Sequence, residues 1–364
     1  MKTMYLLVCL LGSMLVTAAP QTVEGVPVHE VLPKSAVVQP SERPVRNVIL
    51  MIGDGMGSEH VWAAWLCNRG QLNICNLPCT AFSQTYSANR TITDSAAGGT
   101  ALACGGKTDN GMLGQRPDGT PMQSLAELCR SRGMGTGLVV TKAITDATPA
   151  AFYAHTSSRR NTFTIAAALT KAGFDVVLGG GASDFTDAQM KSMRAGGADV
   201  ELFAPGNCPP ASKRGDLLVR SVERALSRLE KNKNGFFLMI EGSSIDSAGH
   251  DKDLDEVVRE VQDFDSAVGV VLKWMTKHPE TLLVVTADHQ TGGLSILDGS
   301  PELGRVTGRF ATSNHSGVAV PIYATGAGAA RFHGIMENTQ VPTIIRGLIE
   351  KSSQRSVKKY NTKS

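Results

Sequence analysis

Residues 45–57 read V-R-N-V-I-L-M-I-G-D-G-M-G, a nearly continuous apolar run that ends in alternating glycines. An uninterrupted apolar run is typical of a strand that is buried on both faces of a sheet. The glycines favour a tight turn, and Ser58 is placed where a helix can begin. This stretch therefore predicts a buried strand, a turn that carries Asp54, and a helix.

The same alternation recurs along the chain. Further apolar runs lie at 137–141, 175–178, 235–240, 282–286 and 318–323. The stretches that favour helices lie near 122–132, 161–172, 215–231, 253–277 and 338–351. Alternating strands and helices with fully apolar strands predict an α/β fold, in which helices cover both faces of a large, mostly parallel central β-sheet.

The two ends of the chain differ in composition from the rest. Residues 1–19 combine Lys2, an apolar stretch and small residues, and they predict a secretory signal peptide and export to the periplasm or the exterior. A membrane anchor is disfavoured because the apolar stretch is shorter than the roughly 20 residues of a span. We expect a proline-rich arm or linker over 20–45, one large domain over 46–352, and a basic flexible tail over 353–364.

Charge and composition exclude one class of partner. The formal net charge is +3, and the basic residues are scattered except near the C-terminus. We therefore expect no dedicated binding of nucleic acid. No stretch after the signal peptide predicts a membrane span.

Six cysteines remain once the one in the signal peptide is removed, and in an exported chain they permit disulfides. They are Cys67, Cys75, Cys79, Cys104, Cys129 and Cys208. The first three form a cluster in which a disulfide is the favoured interpretation, although the sequence does not determine the pairing. A zinc site there is disfavoured, because the spacing is wrong and no histidine lies near.

Three acidic residues stand at the ends of predicted strands: Asp54, Glu241 and Asp288. The carboxyl ends of parallel strands open into the ligand crevice of such a sheet, so these carboxylates are expected to converge. Because clustered carboxylates repel one another, a metal centre is predicted.

Histidines strengthen this prediction. Asp246 and His250 lie four residues apart, His289 follows Asp288, and His315 precedes the run at 318–323. Mixed aspartate and histidine ligands suit catalytic zinc, whereas an all-oxygen set suits magnesium.

The stretch T-D-S-A-A-G-G-T-A, residues 93–101, has two interpretations. Asp94 or Ser95 caps a tightly packed helix, or Ser95 is a nucleophile at a helix N-terminus that receives an anion.

Six blocks, in this order, resemble the alkaline phosphatase family from about residue 46 to about residue 330. They are G-D-G-M-G, T-D-S-A-A-G-G-T-A, D-A-T-P-A-A-F-Y-A-H-T-S-S-R, E-G-S-S-I-D-S-A-G-H, T-A-D-H-Q-T-G-G and N-H-S-G-V-A-V-P. The resemblance implies a three-layer catalytic domain over 46–352 that binds two zinc ions and one magnesium ion.

Carried over residue by residue, the resemblance assigns the ligands. One zinc would bind Asp246, His250 and His315, and the other would bind Asp54, Asp288 and His289 and face Ser95. Magnesium would bind Asp54, Thr148 and Glu241, and Asp146 would accept a hydrogen bond from a water on that ion.

The resemblance also implies the reaction. Ser95 would attack a phosphate monoester and form a phosphoserine, while Arg159, rather than its neighbour Arg160, would hold two phosphate oxygens. Broad specificity is expected, with inorganic phosphate and an alcohol as products.

Two departures from the family pattern matter. Ser247 stands where relatives often carry lysine, histidine or tryptophan. Between Gly293 and His315 the chain is short, which implies a reduced crown insertion and leaves a homodimer open.

Two alternative functions remain. A phosphodiesterase of the same superfamily is disfavoured by Thr148 with Glu241, and a non-catalytic periplasmic protein that binds zinc or phosphate would leave Ser95 without a purpose. A sulfatase is excluded, because Ala-Ala-Gly follows Ser95.

Overall fold

A computed structural model of the chain describes residues 18–361, with side chains described through residue 352. Most of the predicted signal peptide, residues 1–17, and the last three residues of the predicted tail lie outside the described residues. Among the described residues, none of the helices combines the length and the apolar composition of a membrane span.

The strands are β1 Gln21–Glu24, β2 Asn47–Gly53, β3 Cys79–Gln84, β4 Gly135–Ala143, β5 Val176–Gly180, β6 Asp199–Leu202, β7 Phe236–Gly242, β8 Thr281–Thr286, β9 Gln290–Thr291, β10 Leu294–Ser300, β11 Arg305–Phe310, β12 His315–Ser316, β13 Val320–Gly326 and β14 Gly334–Glu337. The α-helices are α1 Ser58–Cys67, α2 Ser95–Cys104, α3 Leu125–Ser131, α4 Ala147–Ala150, α5 Thr162–Ala172, α6 Asp187–Ala195, α7 Ala211–Arg214, α8 Leu217–Leu229, α9 Ser244–Asp251, α10 Leu254–Met275 and α11 Gln340–Asn361.

The central sheet has nine strands in the order β14-β3-β13-β8-β2-β7-β4-β5-β6. Within the described residues, β13 alone runs antiparallel to its neighbours in this sheet. The fold class predicted from the sequence is therefore confirmed. Because β4, β7, β2 and β8 are adjacent and parallel, their carboxyl ends lie side by side.

Both faces of the sheet are covered. Along β2, Val48, Leu50 and Ile52 belong to the core cluster that includes α2, α3, α5 and α11. Ile49 and Met51 belong to the opposite cluster, which includes α1, α8 and α10. This alternation explains why the strand is apolar throughout, since each side chain is buried against helices on one side or the other.

Short or irregular elements were not predicted. The strands β3, β6 and β14 and the hairpin β10–β11 escaped prediction because they are short or alternate buried with exposed residues. The hairpin occupies the short segment between Gly293 and His315, and β1 joins it to form a separate three-stranded sheet.

The proline-rich segment 20–45, expected to be an arm or linker, packs against the rest of the chain. Its strand β1 pairs with β11, and Val23 and Val26 are buried. Farther along, His29 Nε2 lies 2.7 Å from Asp265 Oδ2. The isolated valines gave too short a pattern to be recognised as a strand between prolines.

The last helix is longer than predicted. It continues to Asn361 rather than ending near 351, because residues 351–361 contain no glycine or proline to stop it. The flexibility of the tail over 353–364 stays a prediction.

The favoured disulfide is not formed. All six cysteines among residues 18–361 are free. Cys67, Cys129 and Cys208 are buried, and Cys75 is exposed.

Candidate active site and metal centre

The candidate site lies where four adjacent strands end. Asp54 follows β2, Glu241 lies near the end of β7, Asp288 follows β8, and Asp146 and Thr148 follow β4. The structure thus brings together the acidic residues that the sequence placed at separate strand ends.

Asp246 and two histidines form the first ligand group. Asp246 Oδ1 lies 3.2 Å from His250 Nε2 and 3.5 Å from His315 Nε2, and the two Nε2 atoms are 3.2 Å apart. The Nδ1 atoms of the two rings lie 2.6 Å from Ser313 O and 2.9 Å from Thr93 O. Because a carbonyl only accepts, each Nδ1 carries a proton, so Nε2 is the nitrogen that offers a lone pair to a cation once it is deprotonated. Such a convergence of lone pairs and carboxylate oxygen fits a cation.

His289 is the centre of the second group. Its Nε2 lies 3.2 Å from Asp288 Oδ2, 3.6 Å from Asp54 Oδ1 and 3.1 Å from Ser95 Oγ. Asp54 Oδ1 and Asp288 Oδ2 are buried and have no hydrogen-bond partner. A buried carboxylate oxygen without a partner destabilises the folded state, because it has lost its hydrogen bonds to water. A bound cation would compensate for that loss.

The two groups adjoin. The rings of His289 and His315 stack with centroids 3.6 Å apart. Ligand atoms of Asp246, His289 and His315 also lie within 4.8 Å of one another. The two groups are therefore adjacent candidate positions for a cation.

A third group consists of oxygen donors. Thr148 Oγ1 lies 3.5 Å from Asp54 Oδ2. Both carboxylate oxygens of Glu241 are buried without a hydrogen-bond partner. An all-oxygen set of this kind fits magnesium.

Burial and mutual repulsion perturb the acidic groups. Burial, followed by repulsion from Asp288 and Asp246, raises the pKa of Asp54 well above its usual value. Burial is also the main cause that raises the pKa of Glu241 to about 8 and that of Asp288 to about 6. Such large shifts in pKa indicate a site in which the protein alone does not balance the negative charge of the carboxylates.

Asp246 behaves differently. Burial alone would raise its pKa, but the hydrogen bonds from His250 and His315 and the charge of Lys142 hold it well below the usual value. Asp246 is therefore the carboxylate of the centre that this chain itself keeps ionised.

Ser95 begins α2, and its neighbour caps that helix. The side chain of Asp94 accepts from Ala97 N at 3.0 Å and from Gly111 N at 3.0 Å. Ser95 itself is buried and points to His289. Asp94 is thus the cap of this helix, and the role of Ser95 as a nucleophile stays a prediction.

Small residues allow α2 to approach the centre. A Cβ on Gly98 would lie 3.0 Å from Asp288 O, and one on Gly99 would lie 3.1 Å from Thr148 Cα. Larger side chains at these two positions would push Ser95 away from the acidic residues.

Arg159 reaches the site, and Arg160 does not. Arg159 Nη1 lies 3.4 Å from Asp94 Oδ2, and Nη2 lies 3.1 Å from Asp146 Oδ1. Arg160 is exposed, and its backbone N donates to Ser158 Oγ. Asp146 thus contacts Arg159. Ser247, where relatives often carry a larger side chain, is half-buried on α9.

Two residues of the site were missed in the sequence. Lys142 Nζ lies 3.1 Å from Asp246 Oδ2, and Thr291 Oγ1 donates to Asp246 Oδ1 at 2.7 Å. Thr291 lies opposite His315 in the β9–β12 pair. The lysine gave a signal, since it interrupts the apolar run G-T-G-L-V-V-T-K-A at 135–143, but the threonine gave none.

The comparison with known families agrees with this geometry. The sequence model of the alkaline phosphatase family matches residues 45–201 and 199–307. Alkaline phosphatase 4 of Bacillus subtilis is 36% identical over 72% of this chain, which spans 65% of that relative. Streptomycin-6-phosphate phosphatase of Streptomyces griseus is 33% identical over 82% of this chain and 89% of its own length.

Solved structures show the same fold. The alkaline phosphatase from the Antarctic bacterium TAB5 superposes with a TM-score of 0.79 at 30% identity, over 85% of this chain and 99% of that one. The structure of a variant of that enzyme is described with Mg bound in its M3 site.

Proposed function

This chain belongs to the alkaline phosphatase family, and from that premise we propose that it hydrolyses phosphate monoesters to inorganic phosphate and an alcohol. One observation carries the proposal. Ser95 Oγ lies at the N-terminus of α2, 3.1 Å from a histidine whose neighbours are buried carboxylates that each retain one oxygen without a partner.

The unpartnered oxygens fit divalent cations. Two zinc ions would be held by the two histidine groups, Asp246, His250 and His315 for one and Asp54, Asp288 and His289 for the other. Magnesium would be held by Asp54, Thr148 and Glu241. When bound, these cations lower the pKa of a nearby hydroxyl group and stabilise developing negative charge on oxygen.

Ser95 is the proposed nucleophile. Its Oγ loses a proton and forms a bond to phosphorus, while the bond from phosphorus to the alcohol oxygen breaks, and the departing alkoxide takes up a proton. Water then attacks the phosphoserine, which releases phosphate and restores the serine. The N-terminus of α2 favours the phosphate dianion, because its backbone N–H groups carry partial positive charge.

Arg159 is the proposed phosphate clamp. Asp94 and Asp146 hold its guanidinium group from two sides, so its planar fork is preorganised to donate to two phosphate oxygens. These residues bind the phosphate rather than the alcohol, which supports broad specificity.

The direct test is Ser95→Ala with 4-nitrophenyl phosphate as substrate. We expect the turnover of the fully metal-loaded variant to fall by about 10³-fold or more, because the attacking oxygen is missing. Ser131→Ala, a change on an exposed helical serine, is the matched control and should keep wild-type turnover. Equal turnover in Ser95→Ala and wild type would refute the mechanism.

The same assay separates the alternatives. Faster hydrolysis of bis(4-nitrophenyl) phosphate than of the monoester would identify a phosphodiesterase. If wild type turned over neither substrate with its metals bound, a zinc- or phosphate-binding protein would be the better description.

Export to the periplasm or the exterior is part of the proposal. It rests on the composition of residues 1–19 and predicts that the N-terminus of the secreted protein begins after the signal peptide. Mass spectrometry of the mature protein tests it, and an uncleaved cytoplasmic chain would contradict it.

A further inference from the structure

A short turn lies between the start of α2 and Arg159 and contacts both. The turn consists of residues 109–112, and Met112 N donates to Asp109 O at 3.1 Å to close it. Gly111 has a φ of 90°, a conformation that favours glycine at the third position of a type II turn. The proposed mechanism does not use this 109–112 turn.

The side chain of Asn110 holds the backbone that leads into α2. Its Oδ1 accepts from Asp94 N at 3.2 Å, and its Nδ2 donates to Ile92 O at 3.0 Å. The backbone N of Asn110 donates to Asn89 Oδ1 at 3.0 Å, so the asparagine is itself held in place. Because Ser95 directly follows Asp94, this one side chain fixes the backbone just before the proposed nucleophile.

The backbone of Gly111 connects the cap of α2 with the proposed phosphate clamp. Gly111 N donates to Asp94 Oδ2 at 3.0 Å, and Gly111 O accepts from Arg159 N at 2.7 Å. Asp94 Oδ2 also lies 3.4 Å from Arg159 Nη1. The same carboxylate oxygen therefore contacts both the turn and the guanidinium group, and the turn holds the backbone of that arginine as well.

The residues that follow the turn repeat this connection. Gly114 N donates to the hydroxyl group of Thr100 on α2 at 3.0 Å. Leu113 and Thr156 exchange two backbone hydrogen bonds of 2.9 Å and 3.0 Å. The segment 109–114 thus lies between the helix that carries Ser95 and the segment that carries Arg159, and it is bonded to both.

We propose that Asn110 is a positioning residue, which sets the place of the Arg159 guanidinium group relative to Ser95 through the 109–112 turn and Asp94. The inference rests on the proposed function above and assigns part of the phosphate binding to a residue that acts through its neighbours. Without this side chain, Asp94 N and Ile92 O lose their partners, and the carboxylate that holds Arg159 can shift. A misplacement of about 1 Å can lower a rate by on the order of 10²-fold.

A double-mutant cycle separates this role from a merely structural one. If Asn110 acts through Arg159, its removal matters only while the guanidinium group is present. If Asn110 only stabilises the fold or the start of α2, its removal has the same effect with and without that group.

The test measures the inhibition of the metal-loaded enzyme by inorganic phosphate and its kcat/KM for 4-nitrophenyl phosphate. We expect Asn110→Ala to raise the inhibition constant and to lower kcat/KM by about tenfold each. In an Arg159→Ala background, the same change should alter each value by about twofold or less. The matched control is Asn232→Ala near the start of β4, whose Nδ2 donates to Gly133 O and whose Oδ1 accepts from Asn234 N. It should leave both values unchanged.

Gly111→Ala provides a second variant, should Asn110→Ala fail to fold. Apart from its chain neighbours, no described atom lies within 4 Å of a Cβ added at Gly111. The change therefore strains only the turn, and its effect should show the same dependence on Arg159. A comparable loss in the Arg159→Ala background, or no loss in the wild-type background, would overturn the inference alone. If wild type neither hydrolysed 4-nitrophenyl phosphate nor bound phosphate, the proposed function would fail as well.

Discussion

Two clusters of buried charge lie in this molecule, and they are balanced in different ways. In the first, Arg214 donates to both oxygens of Glu260 and through two nitrogens to Asp263 Oδ2. In the second, the carboxylates of Asp54, Glu241 and Asp288 retain buried oxygens without a partner. The first cluster is complete within the chain and ties α7 to α10, whereas the second requires charge from outside.

This difference distinguishes a structural cluster from a functional one. Removing one partner of a buried ion pair strongly lowers the free energy of unfolding, because the other partner is left as an unpaired buried charge. Carboxylates held together without partners are retained because a ligand neutralises them. The predictions that follow change one cluster while the other serves as the reference.

Removal of divalent cations should have the largest effect. After treatment with a chelator, we expect phosphatase activity to fall by about 10³-fold or more, because no charge remains to activate Ser95. The circular dichroism spectrum should persist, since the Arg214 cluster needs no metal. Zinc and magnesium together should restore activity, and full activity in protein shown by elemental analysis to lack metal would contradict the account.

The structural cluster should respond to mutation instead. Arg214→Met leaves the buried carboxylate of Glu260 and the partly buried one of Asp263 unpaired and should lower the free energy of unfolding by about 3–5 kcal/mol. Urea denaturation should show this loss with and without metals. The control is Arg220→Met on an exposed pair with Asp216, where a change of about 0.5 kcal/mol or less is expected. Similar losses in both variants would refute the distinction.

The stability of the metal-free chain should depend on pH through the carboxylates that lack partners. Burial raises the pKa of Glu241 to about 8 and of Asp288 to about 6, so the folded state holds protons that the unfolded chain releases above about pH 4.5. The contribution of these two groups to stability is therefore greatest at low pH and is lost as the pH rises toward 8, by several kcal/mol in total. Thermal unfolding with and without metals measures it. A metal-free chain whose stability rises over this range would contradict the assignment.

Neutralising one unpartnered carboxylate should have the smallest effect on stability. Asp54→Asn should raise the free energy of unfolding of the metal-free chain by about 1 kcal/mol at pH 9, because repulsion from Asp288 and Asp246 is removed. Glu260→Gln, the corresponding change in the paired cluster, should lower it. Denaturation at one pH compares the two variants directly, and destabilisation by both would show that the clusters are alike.

Much of the sheet could be predicted because its strands are buried on both faces. The apolar run at 45–52 and its counterparts at 137–141 and 282–286 lie within or overlap β2, β4 and β8. The position of Asp54 at a strand end followed from the same pattern. Edge strands such as β14 could not be predicted, because their side chains are partly exposed and their pairing depends on distant residues.

The ligand positions were more accessible to sequence reasoning than the residues that hold them. Acids at strand ends and histidines in the following loops stand out, and the family resemblance supplied their roles. Thr291 and Lys142 contact Asp246 only because separate segments meet in space. The docking of residues 20–45 was likewise set by tertiary contacts, such as His29 with Asp265.

The most direct test of the central claim is an anomalous difference map from crystals grown with zinc. The account predicts two zinc peaks, one among Asp246, His250 and His315 and one among Asp54, Asp288 and His289 beside Ser95 Oγ. Unliganded carboxylates at both positions in an active, zinc-supplied enzyme would contradict it.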